Sequence, residues 1–236
     1  MVEVRAILFD VFGTVVDWRS GLIGQLTAFG AARGLTADWP ALADAWRRAY
    51  IPSMDRVRRG EQPWTGLEAL QRVTLEDLIA DQNIKGLSGA YLDEINRFWR
   101  RLPPWPDAPP GLQRLKRQFT IATLSNGDVA LLVEMAKAGG LPWDMVFSAE
   151  LFERYKPDPE TYLGACALLG LEPEQVMMCA AHRGDLIAAR ALGLKTAFVS
   201  RPLEHGPGPR GSGPAPAEAW DHACASLEEL AAQLGA

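Results

Sequence analysis

Asp10 closes a short apolar run, Ala6-Ile7-Leu8-Phe9, and Gly13 and Thr14 follow it within four residues. A carboxylate so placed has the chemistry of a nucleophile, a base or a cation ligand, and a hydroxyl four residues on lies close to whatever the carboxylate touches. The plain alternative is that Asp10 only turns the chain, as aspartates after strands often do. That alternative weakens because the pattern recurs. Ser125, Asn126 and Gly127 follow the apolar run at 119–124, Lys156 stands in Tyr155-Lys156-Pro157-Asp158-Pro159 after a short run at 146–148, and His182 and Asp185 follow the run at 176–181. If these runs are neighbouring strands of one parallel sheet, their C-terminal ends lie along one edge. Two carboxylates, an ammonium and a hydroxyl would then converge there, as active-site groups do.

The elements needed to hold them so are legible. The run at 6–9 is too short for a buried helix and reads as a strand covered on both faces. From 15 to about 100 no further strand pattern occurs; helices are predicted at 22–33, 39–57, 66–79 and 88–100, punctuated by Gly34, Pro63 and Gly86. Leu42, Ala45, Trp46 and Ala49 recur at helical spacing and predict an inner face. From about 110 helix and strand alternate: helices at 111–118, 128–138, 159–169, 185–192 and 227–234, and strands at 119–124, 146–148, 176–181, 196–200 and 223–225. Alternation of this kind implies a parallel sheet with helices on both faces. The Gly/Pro-rich stretch at 206–216 is predicted to be an exposed loop.

Composition narrows the function classes. The chain has 236 residues, 48% hydrophobic and 22% charged, as in ordinary globular proteins. A net charge of -5 and a pI near 5.3 argue against a nucleic-acid partner, and Arg56, Arg58 and Arg59 read as a solvated helix face. Cys166, Cys179 and Cys224 lack metal-ligand spacing and read as buried thiols in a reducing compartment. No apolar run is long enough for a bilayer span and the first residues show no leader pattern, so a soluble cytoplasmic protein without a membrane partner is expected.

The motifs Asp-x-x-Gly-Thr at 10–14, Leu124-Ser125-Asn126-Gly127, Tyr155-Lys156-Pro157-Asp158-Pro159 and the later Asp185 resemble the haloacid dehalogenase superfamily over nearly the whole chain. Within it the sequence is similar to the L-2-haloacid dehalogenases of type II. The deciding position is Phe12. Phosphatases of the superfamily carry Asp-x-Asp, whose second Asp protonates the leaving oxygen and later activates water. A phenyl ring does neither, and halide leaves without a proton.

The resemblance implies an α/β, Rossmann-like parallel-sheet core (1–14 and 101–236) with a helical cap domain (15–100) inserted after the first strand. It implies that Asp10 attacks C2 of a short 2-haloalkanoate, forming an ester that water hydrolyses at the carbonyl. Lys156 would hold Asp10 ionised. Ser125, the Thr14 region and backbone amides would receive the substrate carboxylate, and Tyr162 and Phe12 would line the site. Arg47, in Ala45-Trp46-Arg47-Arg48-Ala49-Tyr50, matches the family's halide-accepting arginine, with Asn126 as companion; read alone, Arg47 is a solvated helix charge. Tyr162 read alone is one more aromatic on an inner helix face.

The chain departs from the family's Ser-x-Asn-x-x-Asp at Ala180-Ala181-His182-Arg183-Gly184-Asp185. His182 is then either a base toward the hydrolytic water or a hydrogen-bonding partner of Asp185 or of a backbone group. Gly184 in place of a bulky residue enlarges the pocket. No cofactor and no metal are expected, and the resemblance makes a homodimer an open alternative. The identity of the halogen stays open. The competing readings are a phosphatase that has found another acid, such as His182, and a non-catalytic homologue that binds a partner through the cap.

Overall fold

The computed structural model describes residues 3–207 and 220–236. Most of the loop expected at 206–216 (208–216) lies outside the described residues. Six parallel strands form one sheet in the order β3-β2-β1-β4-β5-β6: β1 Ala6–Phe9, β2 Thr120–Ser125, β3 Met145–Ser148, β4 Val176–Ala180, β5 Lys195–Val199 and β6 His222–Cys224. Every residue of β1 and of β4 is buried, as their unbroken apolar sequences require of strands covered on both faces. Register is fixed by pairing of Ile7 with Ile121 on one side and Met177 on the other. The chain leaves β1 and returns as β2 on one side, then as β4 on the other. The C-terminal end of β1 is therefore the place where strand order reverses and a crevice opens.

Between β1 and β2 lie α1 Trp18–Arg33, α2 Trp39–Arg48, α3 Tyr50–Arg58, α4 Leu67–Asp81, α5 Gly89–Asn96 and α6 Ala108–Leu115. Asp17 and Asp38 cap α1 and α2 by accepting from the N–H groups of Ser20 and Ala41. The inner face of α2 is Trp39, Leu42, Ala43 and Trp46, whereas Ala45 and Ala49 are only half-buried. The single helix expected at 39–57 breaks at Ala49. Pro52 is the reason: it has no N–H for the carbonyl of Arg48, and its ring crowds that carbonyl. The break puts Arg47 at the end of one helix and Tyr50 at the start of the next. The helix expected at 88–100 likewise stops at Asn96 and tightens into a 3-10 turn, Arg97–Arg101, ahead of Pro103 and Pro104.

The remaining helices, α7 Val129–Gly139, α8 Pro159–Leu169, α9 Arg183–Ala191 and α10 Leu227–Gln233, cover the sheet. The insert is joined to the first strand's loop through aromatic rings. Phe12 meets Trp99 edge-on at 5.8 Å, and Trp46 and Trp18 meet the same indole at 5.4 and 6.4 Å. No helix among the described residues is long and apolar enough to cross a membrane.

Candidate active site

Asp10 leaves β1 with its N–H bonded to the carbonyl of Cys179 and its side chain only 11% exposed. Oδ2 accepts from Thr14 Oγ1 at 2.7 Å and stands 3.0 Å from His182 Nδ1, while Oδ1 accepts from Lys156 Nζ at 3.0 Å. Thr14 is buried and in turn accepts from the N–H of Ala181, which locks the turn of β1 to the end of β4. Burial alone would raise the Asp10 carboxyl, but the Lys156 ammonium and the hydrogen bonds from His182 and Thr14 hold it well below the usual carboxylate range. It is an anion at any working pH, as a nucleophile must be.

Lys156 bridges two carboxylates, since its ammonium also donates to Asp185 Oδ2. Tyr162, from α8, donates to the other oxygen of Asp185. Asn126 positions the lysine by its backbone: Oδ1 accepts from the Lys156 N–H at 2.8 Å, and the amide faces the Lys156 carbonyl at 3.5 Å. The cation between the two aspartates is thus the protein's own. With Lys156 between them and hydroxyls on the remaining oxygens, the charge of the pair is compensated within the chain.

Above the carboxylate is a cavity of about 380 Å³, bordered by Asp10, Phe12, Arg47, Tyr50, Asn126, Lys156, Tyr162, His182 and Asp185 among others. Phe12 is 3% exposed and packs so closely on Gly127 that a Cβ there would stand 3.0 Å from its ring. The Arg47 guanidinium lies 4.2 Å from the centre of the Tyr50 ring and 5.5 Å from that of Trp18. Its Nη1 is buried and lacks a hydrogen-bond partner. A charged donor held in this way against aromatic faces is not a solvated surface charge.

Three expectations change. Ser125 does not border the cavity; it is 1% exposed, and its Oγ accepts from the N–H of Gly127. Thr14 faces Asp10 from behind. Neither is placed to hold a substrate carboxylate directly. His182 does not bond Asp185. It spans Asp10 and Glu204, with Nε2 3.0 and 3.1 Å from the two oxygens of Glu204. Burial would lower its pKa, but the hydrogen bonds to Asp10 and Glu204 push it up to about 10. With both nitrogens facing carboxylates, the resting site favours the protonated ring of His182.

Glu204 and Tyr50 escaped the sequence reading. Glu204 lies five residues beyond β5 and so belongs to the same strand-end edge as the other groups. Tyr50 becomes visible once Pro52 is taken as a helix break.

The raised pKa of His182 has a consequence for stability. Its protonated ring stabilises the fold fully below about 6.5, and the contribution is lost as pH rises from there toward about 10. Denaturation of wild type and His182→Gln should therefore show a stability gap that is widest below 6.5 and closes toward pH 10.

The chain is similar to known proteins in both sequence and fold. A family model described as haloacid dehalogenase-like hydrolase matches residues 4–193. The (S)-2-haloacid dehalogenase 4A of Burkholderia cepacia is 31% identical over 206 residues, covering 84% of each chain. A crystal structure of an L-2-haloacid dehalogenase is 52% identical, with a TM-score of 0.95 over 98% of this chain and 99% of that one. Another, of a defluorinating L-2-haloacid dehalogenase, is 45% identical with a TM-score of 0.95, covering 99% and 96%. An ionised, lysine-paired aspartate at the tip of β1 lies beneath a helical insert in a fold these relatives share, and the chain belongs to the haloacid dehalogenase-like hydrolase family.

Proposed function

We propose that this enzyme hydrolyses the carbon–halogen bond of short (S)-2-haloalkanoic acids and haloacetates, giving 2-hydroxy acids and halide through an ester on Asp10. The carrying observation is an ionised Asp10 facing a cavity that has the phenyl ring of Phe12 where a phosphatase needs an acid. Oδ2 already accepts two donors, so its in-plane lone pairs are taken; among the described residues Oδ1 accepts only from Lys156 and keeps one for attack. In-line displacement by Oδ1 at C2 inverts the carbon and sends halide away from Asp10. The unpartnered Arg47 nitrogen receives it, with Asn126 beside it. Backbone amides at the strand ends receive the substrate carboxylate, and Tyr50 and Phe12 wall in its alkyl part.

Lys156 and Asp185 remain paired when Asp10 is esterified, and Asp185 takes a proton from the incoming water. The helical insert at 15–100 serves as the cap that excludes bulk water. Three free buried cysteines suit a reducing cytoplasm. A small haloacid is the expected partner, and a homodimer rests on the resemblance alone.

The test is halide release from (S)-2-chloropropionate, chloroacetate and fluoroacetate, with (R)-2-hydroxypropionate as the product of the first. Release from none of them overturns the reading, as does faster turnover of p-nitrophenyl phosphate. Replacing Arg47 by Met should lower kcat roughly 10²–10³-fold, the usual cost of one charge-stabilising donor. Steady-state halide assays check this, and an unchanged kcat would return Arg47 to the surface-charge reading.

A further inference from the structure

Glu204 is a buried carboxylate that the proposed chemistry leaves unused. It is 1% exposed and sits in a stretch with neither helix nor strand. Besides His182, it accepts from Trp18 Nε1 at 3.2 Å. Its seat exists because Gly13 has no side chain: at φ +87°, a Cβ there would stand 2.2 Å from Glu204 Oε1. The turn that presents Asp10 is thus shaped to admit this second carboxylate behind the imidazole. Asp10 Oδ2, on the other side of the ring, has His182 Nδ1 at 3.0 Å and Thr14 Oγ1 at 2.7 Å. Two converging donors at about 2.7–3.1 Å from one oxygen are the geometry of an oxyanion hole.

Resting on the proposed ester reaction, we infer that Glu204 keeps His182 doubly protonated through the catalytic cycle, so that His182 Nδ1–H and the Thr14 hydroxyl together stabilise the oxyanion formed when water attacks the Asp10 ester.

Alkylation of Oδ1 removes the charge of Asp10, and with it one of the two anions that hold the proton on His182. His182 is also the N-cap residue of α9, where the helix dipole disfavours a cation. Arg47, on α2, and His205 also face Glu204, and Tyr50 on α3 and Lys156 border the same cavity as the ring. Among these only Glu204 supplies a negative charge in contact with the ring once Asp10 is an ester; Asp185 is engaged by Lys156 and Tyr162.

In the hydrolytic step the water oxygen bonds to Cγ, and the carbonyl electron pair moves to Oδ2, facing the two donors. One water proton passes to Asp185. Return of the pair breaks the bond between Cγ and Oδ1, the departing alkoxide takes the proton from Asp185, and the new carboxyl group loses its proton to solvent.

The experiment is single-turnover reaction of Glu204→Gln with (S)-2-chloropropionate, following halide release and, by mass spectrometry, the ester on Asp10 across pH. The expected result is a stoichiometric halide burst, an ester that accumulates, ester decay slowed roughly 10²-fold or more, and an alkaline limb of that decay moved to lower pH. Ester decay at the wild-type rate overturns the inference. So does decay that fails on the acid side instead, because that marks His182 as a base. His182→Asn, which keeps an N–H donor without a titrating charge, carries the same test independently: its slowed decay should lack the wild-type alkaline limb, and retention of that limb is contradictory. Absence of a halide burst in the wild-type enzyme defeats the proposed reaction itself and is thereby distinguishable.

Discussion

Asp10→Asn should abolish turnover, with kcat lower by roughly 10⁵-fold or more, the scale seen when an enzyme loses its nucleophile. The amide fills the same space and can still accept from Thr14 or Lys156, so the fold should survive. The loss should appear already in the first turnover, as missing halide release, because no other carboxylate can reach C2. Asp185 is held by Lys156 on one oxygen and Tyr162 on the other. Rapid-quench halide assays, with a thermal melt to verify folding, check both parts. Residual turnover within about tenfold of wild type would need a different nucleophile.

Lys156→Met should be nearly as damaging, and for two separable reasons. The ammonium, 8% exposed, is the shared partner of Asp10 and Asp185. Removing one member of a buried charged group leaves its partners uncompensated and costs about 3–5 kcal/mol of stability. It also lets the Asp10 carboxyl rise toward and above its ordinary range, so that the two aspartates compete for a proton. Halide release at neutral pH should fall roughly 10³-fold and recover in part as pH rises and the pair ionises. Urea denaturation reads the first effect and a pH–rate profile the second. The backbone hold of Asn126 on residue 156 is untouched by the change, so a rate loss without pH recovery would mean that Lys156 acts on the substrate itself.

What can be read from the sequence follows from where the residues sit. Asp10, Lys156 and Asp185 are legible because apolar runs mark strands, and parallel strands bring their C-terminal ends to one edge; Tyr162, inside α8, is reached only through the family resemblance. The same rule places Ser125 and Asn126 together at the site, yet β2 ends at Ser125 and Asn126 belongs to the turn beyond it. Asn126 borders the cavity, whereas Ser125 turns into the 125–127 turn. Spacing alone does not say which of the two faces inward.

Glu204 is hidden for a different reason. It follows β5 at a distance, in Arg201-Pro202-Leu203-Glu204-His205, and becomes a site residue only by folding back over Gly13. Nothing local in the sequence encodes that return. The role of His182 depends on it, since a histidine with one carboxylate neighbour reads as a base and one with two reads as a cation. The break between α2 and α3 is visible as Pro52 but is outweighed by the helical periodicity around it.

The central claim is that carbon is transferred to Asp10 before water acts. With enzyme in excess over (S)-2-chloropropionate in H₂¹⁸O, one turnover should place ¹⁸O in the side chain of Asp10, detected in the peptide that contains it, and leave the 2-hydroxypropionate unlabelled. Label in the product and none in that peptide would mean that water displaces the halide directly and that Asp10 never bonds to carbon.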